Sequence, residues 1–278
     1  MNPLPYNPIS KNIPLVLSIA GSDPSGGAGI QGDIKAIQAN GAFALSVITT
    51  VTAQNSLTFQ SSYTLPIHVI EAQMQSLLED FQISAVKIGM LSSQEVVKCV
   101  AILLKKAALP NLVIDPVMRS KDESLLLKND ALESLKKDLI PLSRLLTPNI
   151  PEAEIFTGKK IKTLAESEAA ARSIYDLGCQ AVLVKGGHLS ESPGHDILFD
   201  GKKITHFSGT FIDSPHTHGT GCSYASAIAT QLAFGLTLKE AITTAKHYIT
   251  ESIRNGLKIG HGKGPTDHFY FLRNRNIE

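Results

Sequence analysis

The segment His218-Gly219-Thr220-Gly221-Cys222 places two glycines and a thiol directly ahead of Ala225, Ile228, Ala229, Leu232 and Ala233. Those apolar residues recur at helical spacing, so the segment opens a helix. Backbone N–H groups converge at such a start, and the helix dipole adds partial positive charge. The result is an anion site, suited to a phosphoryl group whose charge grows as it is transferred. Gly219, Thr220 and Gly221 are the expected cradle. Cys222 falls in the first turn, where a thiol pKa is expected to drop. A cysteine without partners is more often a small buried hydrophobe, and Cys99 and Cys179 are read that way. Cys222, flanked by glycines at an anion site, is assigned to function.

A second glycine-rich turn, Gly27-Ala28-Gly29-Ile30-Gln31-Gly32, matches the dinucleotide fingerprint in form. A nicotinamide or flavin site also needs an acidic residue roughly 20 positions on to hold the ribose. No Asp or Glu occurs between Asp33 and Glu71, which disfavours that reading. A P-loop is excluded as well, because Gly158-Lys159 and Gly201-Lys202 each run into another lysine rather than Ser or Thr.

The elements that position these turns follow a βαβα rhythm. Strands are expected at Leu15–Ala20, Ala44–Val51, Ala85–Ile88, Leu112–Asp115, Leu145–Thr147 and Ala181–Lys185. A helix follows the first glycine turn through Ala39, and Pro66 opens another that runs to about Asp80. Ser93 caps a third, with apolar face Val96, Val97, Val100, Leu103, Leu104 and Ala107. This alternation predicts an α/β fold with a mostly parallel sheet covered by helices on both faces. Ligands then bind at the carboxyl ends of the strands. Those ends are rich in Gly, Asp, Asn, Gln and Lys: Gly21–Asp33, Thr52–Asn55, Gly89–Met90, Asp115–Arg119, Thr147–Glu152 and Lys185–His188.

Composition narrows the partners. The 278 residues are 43% hydrophobic and 18% charged, with net charge +1, so the electrostatic drive for nucleic acid or an anionic membrane is missing. No apolar run is long enough to span a bilayer. Met1 to Pro14 carries four prolines and no apolar core, and reads as a loose arm (residues 1–13) leading into one domain over 1–278. Three scattered cysteines suggest neither a disulfide framework nor a zinc site, which points to a reducing cytoplasm.

Taken in order, the motifs resemble one family. Ala20-Gly21-Ser22-Asp23-Pro24-Ser25-Gly26-Gly27-Ala28-Gly29-Ile30-Gln31 is similar to the signature of hydroxymethylpyrimidine/phosphomethylpyrimidine kinases, in the ribokinase superfamily. Ala53-Gln54-Asn55, Lys87-Ile88-Gly89-Met90, Asp115-Pro116-Val117-Met118, Thr147-Pro148-Asn149-Ile150-Pro151-Glu152-Ala153, Val184-Lys185-Gly186-Gly187-His188 and Thr217 to Cys222 follow in the family's order. Gly260-His261-Gly262 completes the set, so the resemblance spans about Leu15 to Phe269. It implies a three-layer α/β/α ribokinase-like fold and a homodimer. It also implies ATP- and Mg²⁺-dependent phosphorylation of 4-amino-5-hydroxymethyl-2-methylpyrimidine, or its monophosphate, on the route to thiamine.

By that resemblance Gly21, Asp33, Gln54 and Met90 line the pyrimidine pocket. The Gln54 amide offers a donor and an acceptor to an aminopyrimidine edge. Asn149 and Glu152 resemble the superfamily's Asn-x-x-Glu element near magnesium, with Asp115 a second contributor to the metal shell. Lys185 would neutralise ATP phosphate charge, and Lys246 would lie near the adenine or on a solvated helix face. Cys222 would take the hydroxyl proton, standing where the superfamily usually places an aspartate.

The chain departs from the family at Arg119-Ser120-Lys121-Asp122-Glu123-Ser124, charged and glycine-free where a small glycine-containing lid is usual, and also at Gly32 and His216. A pyridoxine or pyridoxal kinase is the nearest alternative reading. A catalytically silent binding protein on the same scaffold is a further one, though a binder has no need of Asp115, Asn149, Glu152, Lys185 and Cys222 together.

Overall fold

A computed structural model of the chain describes residues 13–118, 129–189 and 191–273. The N-terminal arm up to residue 12 and the Arg119–Ser124 segment lie outside the described residues. The described part builds one nine-stranded sheet between two layers of helices.

The chain enters through β1 (Leu15–Ser22), turns at the glycines into α1 (Gly29–Ala39), and pairs β2 (Phe43–Gln54) parallel to β1. A hairpin adds β3 (Phe59–Thr64) antiparallel at one edge. Helix α2 (Ile67–Asp80) then returns the chain across β1 to β4 (Ile83–Ile88). From there α3 (Gln94–Ala107), β5 (Leu112–Ile114), α4 (Asn129–Ser134), β6 (Leu145–Leu146), α5 (Ile150–Thr157), α6 (Leu164–Tyr175) and β7 (Val182–Val184) extend the parallel sheet the other way. The antiparallel strands β8 (Asp196–Phe199) and β9 (Ile204–Phe207) close that edge, and α7 (Thr220–Ala233), α8 (Leu238–Arg254) and α9 (Tyr270–Arg273) follow. The order β3-β2-β1-β4-β5-β6-β7-β8-β9 reverses direction between β1 and β4. Loops diverge at such a switch point and leave a crevice at the carboxyl ends of the strands.

Each face of the sheet has its own core, as side-chain alternation requires. Leu17, Ile19, Leu112, Ile114, Val182 and Val184 face α2, α3, α5 and α6. Val16, Val113 and Leu183 face α1, α7 and α8, where Ile37, Ile228, Leu232, Ile242 and Ala245 meet them. The central strands are buried on both faces, so they read as continuous apolar runs rather than as alternating ones.

Three strands, β3, β8 and β9, have no counterpart in the sequence reading. Phe59-Gln60-Ser61-Ser62-Tyr63-Thr64 is exposed over most of its length, so it lacks the apolar face that marks a strand. Pro66 stands just ahead of α2 rather than inside its first turn. Ser93 caps α3 as expected, accepting from the Val96 N–H at 3.4 Å. Ile37, fully buried between α1 and the sheet, tests the packing. Ile37→Ala is expected to lower unfolding free energy by about 2–5 kcal/mol in chemical denaturation.

Candidate active site

Two turns at the switch point touch backbone to backbone. Gly219 holds φ of +80°, and a Cβ there would lie 1.8 Å from the Gly27 carbonyl oxygen. A Cβ on Gly27 would in turn meet His218 Cδ2 at 2.5 Å. Only glycine fits both places, and this is what brings the start of α7 against the end of β1. Asp23 fastens the junction. Its carboxylate accepts from the Ala28 N–H at 2.9 Å, from Ser25 and from His218 Nε2 at 2.8 Å. Burial opposes the charge of Asp23, yet His218 and these hydrogen bonds hold its pKa far below the usual carboxylate range. Neither Asp23 nor His218 was assigned a role from sequence, although both lie within quoted motifs. Gly32, one of the departures from the family, serves the same turn: a Cβ there would press within 2.8 Å of the Gly27 oxygen.

The first turn of α7 follows. Thr220 donates its N–H to Thr217 O at 3.2 Å and its hydroxyl to the same oxygen at 2.8 Å, so its polar groups are already committed. Gly221 and Cys222 carry the next N–H groups, which have no acceptor within the helix. They are free of helical acceptors at the cavity wall, as an anion cradle requires. Cys222 is half-buried on the wall of the cavity. Its thiol departs from the expectation of a lowered pKa: burial pushes it up to about 12, aided by Asp115 and Asp33, while Lys87 and a hydrogen bond from the Gly29 N–H pull the other way.

Behind the cradle, Lys185 after β7 donates to Asp115 after β5 at 2.6 Å. A Cβ on Gly221 would lie 3.3 Å from Lys185 Nζ, so the ammonium sits beside the anion loop. Asn149 and Glu152 form a capping box at the start of α5: the Glu152 N–H donates to Asn149 Oδ1 at 2.9 Å, and the Asn149 N–H donates to Glu152 Oε2 at 2.8 Å. The Asn-x-x-Glu element is therefore a helix cap as well as a site feature. Burial raises the pKa of Glu152 to about 7; Lys185 opposes the shift and Asp115 adds to it.

Two buried carboxylates thus share one lysine. Burial is what favours the protonated form of Glu152; ionised beside Asp115, it would present oxygen donors of the kind that suit magnesium. Among the described residues no group of three or more His, Cys, Asp or Glu is placed to hold a metal. A cation here would accordingly take its remaining ligands from phosphate and water.

A cavity of about 1560 Å³ is lined by Gly21, Gln54, Met90, Asp115, Asn149, Glu152, Lys185, Lys246 and the loop Gly219 to Cys222. Lys246, on α8, is tied to Asp196 at 2.6 Å and to the Gly194 carbonyl at 2.7 Å. Asp196, missed in the sequence, also accepts from the Gly186 N–H at 2.9 Å and the Tyr224 hydroxyl at 3.0 Å. It joins β8 to the loop after Lys185. It was overlooked because β8 itself was.

Asp33 is a correction. It does not line the cavity; it is fully buried, accepts from Ser18 at 2.6 Å and Ser226 at 2.8 Å, and pairs with Lys87 at 2.8 Å. The side chain projects from α1 toward the sheet, so the motif places its backbone near the site and its carboxylate beneath it.

An anion cradle, a lysine–carboxylate pair and a polar crevice at the switch point of an α/β/α sandwich are the equipment of a phosphotransferase. The sequence profile of phosphomethylpyrimidine kinases matches residues 23–267. The chain is 43% identical to the hydroxymethylpyrimidine/phosphomethylpyrimidine kinase of Haemophilus influenzae over 267 residues, covering 94% of this chain and 99% of that protein. The crystal structure of the Clostridium difficile phosphomethylpyrimidine kinase superposes with TM-score 0.77 at 42% identity, covering 86% of this chain and 99% of that one. Staphylococcus aureus pyridoxal kinase, in complex with AMP-PCP and pyridoxal, superposes with TM-score 0.86 at 30% identity, covering 95% and 96%. The chain belongs to the phosphomethylpyrimidine kinase family.

The electrostatics of Glu152 can be checked without any substrate. Its folded pKa lies above the ordinary value, so the protonated acid is favoured on folding. Stability from this group is complete below the unfolded pKa and is lost as pH rises through about 7. Glu152→Gln is expected to raise the melting temperature relative to wild type at pH 8, with the gain vanishing toward pH 5, in magnesium-free buffer. An equal difference at both pH values contradicts the assignment.

Proposed function

We propose that the protein transfers the γ-phosphate of ATP to 4-amino-5-hydroxymethyl-2-methylpyrimidine or to its monophosphate, serving thiamine biosynthesis. The observation that carries this reading is the placement of Gln54 and Met90 on the same cavity as the Gly219–Cys222 cradle and Lys185. Gln54 ends β2 and can pair with an aminopyrimidine edge, while Met90 lies against Gly21 as an apolar wall, where a Cβ added at Gly21 would come 3.4 Å from Met90 Sδ. The reading includes a single kinase domain working as a cytoplasmic homodimer, as the family resemblance implies.

In this mechanism the substrate oxygen attacks the γ-phosphorus in line, the bond from that phosphorus to the β–γ bridging oxygen breaks, and ADP leaves. The Gly221 and Cys222 N–H groups hold the transferring phosphoryl group, and Lys185 offsets its charge. Magnesium, when bound near Asp115 and Glu152, supplies charge neutralisation of the nucleotide phosphates. The Cys222 sulfur takes the hydroxyl proton as a thiolate, its resting proton having left to solvent through the cavity. A thiol pushed up to about 12 is mostly protonated at neutral pH. Turnover should therefore rise with pH from 7 into the alkaline range. Cys222→Ala is expected to lower kcat by about two or more orders of magnitude, to lose that pH dependence and to keep its ATP affinity. Near-wild-type turnover would refute the base role.

Similarity to pyridoxal kinases supports a second reading, in which the accepted alcohol is pyridoxal or pyridoxine. Purified protein with Mg-ATP and each of hydroxymethylpyrimidine, its monophosphate, pyridoxal and pyridoxine, scored for ADP release, decides between the two. Turnover on the pyridoxal compounds alone overturns the pyrimidine assignment, and turnover on none overturns the kinase reading.

A further inference from the structure

Lys87 is among the largest fully buried side chains of the protein, and the transfer mechanism above gives it no part. It lies on β4, the strand that leads to Gly89 and Met90, and a Cβ on Gly89 would come within 2.7 Å of its Nζ. Glycine at 89 thus leaves room for an ammonium directly behind the cavity wall. The ammonium pairs with Asp33 at 2.8 Å, and Asp33 accepts from Ser226 at 2.8 Å. Ser226 and Cys222 are four residues apart on α7, so they share one helix face. The Lys87–Asp33 pair therefore sits against the same face of α7 that carries the thiol.

The arrangement is costly for a purely structural pair. Two charges buried without solvent are often no better than apolar residues of the same volume. Asp33 is satisfied by Ser18, Ser226 and Lys87 together. The charged groups acting on Cys222 are Lys87 from β4, Lys185 after β7, Asp115 from the end of β5 and Asp33 from α1; the two lysines favour a thiolate, and Lys87 acts the more strongly.

We propose that Lys87, held by Asp33, is a positioning residue of the transfer centre, a fixed buried cation that stabilises the thiolate of Cys222. Lys87 keeps its proton throughout; the proton that moves passes from the substrate hydroxyl to the Cys222 sulfur as the oxygen–phosphorus bond forms. The inference rests on the reading of Cys222 as base, and the test separates the two.

Lys87→Met removes the charge at similar volume, and Lys87→Met/Asp33→Asn removes the pair without stranding a buried carboxylate, should the single variant fail to fold. Both are compared with wild type for iodoacetamide alkylation of Cys222 between pH 7 and 10, followed by peptide mass analysis, and for kcat and the KM of Mg-ATP. Alkylation slowed by roughly tenfold or more, the effect of about one unit of pKa, with kcat reduced and KM for ATP within about threefold, is the expected result. An alkylation profile that matches wild type in a folded variant overturns the proposal, whatever happens to kcat, because a merely structural role leaves the thiol unaffected. If alkylation slows while Cys222→Ala retains turnover, the counter-ion assignment stands and the base reading of Cys222 falls.

Discussion

The site depends on one steric constraint, the contact between the Gly27 carbonyl and the Gly219 backbone. Any Cβ on Gly219 would overlap that oxygen, and the left-handed φ of Gly219 already excludes most side chains. The contact joins the turn after β1 to the turn before α7, which are almost 200 residues apart in sequence. Because the two turns meet there, the helix start that offers N–H groups lies beside the strand ends that offer Gln54, Met90 and Asp115. A looser junction would place the anion cradle and the pocket in separate grooves. Misplacement by about an ångström is enough to erode catalysis by orders of magnitude.

Around that junction the charges are arranged in pairs, each lysine bound to one carboxylate: Lys185 with Asp115, Lys246 with Asp196 and Lys87 with Asp33, while the His218 ring meets Asp23. Burying a charge alone is prohibitive, so pairing is the condition for having charges at the floor of a crevice at all. Glu152 is the exception, a buried acid beside a lysine already engaged by Asp115. Its raised pKa reports its burial first, with Asp115 adding to the shift and Lys185 opposing it. A site balanced in every pair would have no electrostatic use for a divalent cation and a polyphosphate; this one has a carboxylate in surplus.

Much of this was legible in the sequence, for identifiable reasons. Central strands such as Leu15–Ser22 announce themselves because burial on both faces makes them uniformly apolar. Strand-end polar residues were found because a parallel sheet sends its loops to one edge. The edge strands were not found: β3 exposes most of its residues, and a half-solvated polar segment carries no period. Asp33 was misplaced because a motif fixes where a backbone runs and not which way a side chain leaves the helix. Asp196 and Lys87 are invisible to pattern reading for a related reason. Their roles arise from partners on other elements, and a lysine inside an apolar strand run looks like an interruption until its carboxylate is located.

Cys222 shows how competing magnitudes decide a case that residue type leaves open. A helix N-terminus favours an anion by about 0.3–1 kcal/mol at exposed sites, less than the 1.36 kcal/mol that corresponds to one pKa unit. Burial can shift a titrating group by about 3–5 units. Desolvation therefore wins wherever the thiol is lowered into the cavity wall, and the rule that first-turn cysteines are acidic applies only while they stay in water. To use such a thiol as a base, the protein needs a charge that acts through the low-dielectric interior rather than across solvent. A fixed cation under the helix meets that need, since its influence grows with the same burial that suppresses ionisation. The depth that makes Cys222 a poor thiolate by itself is also what allows the buried ammonium behind it to matter.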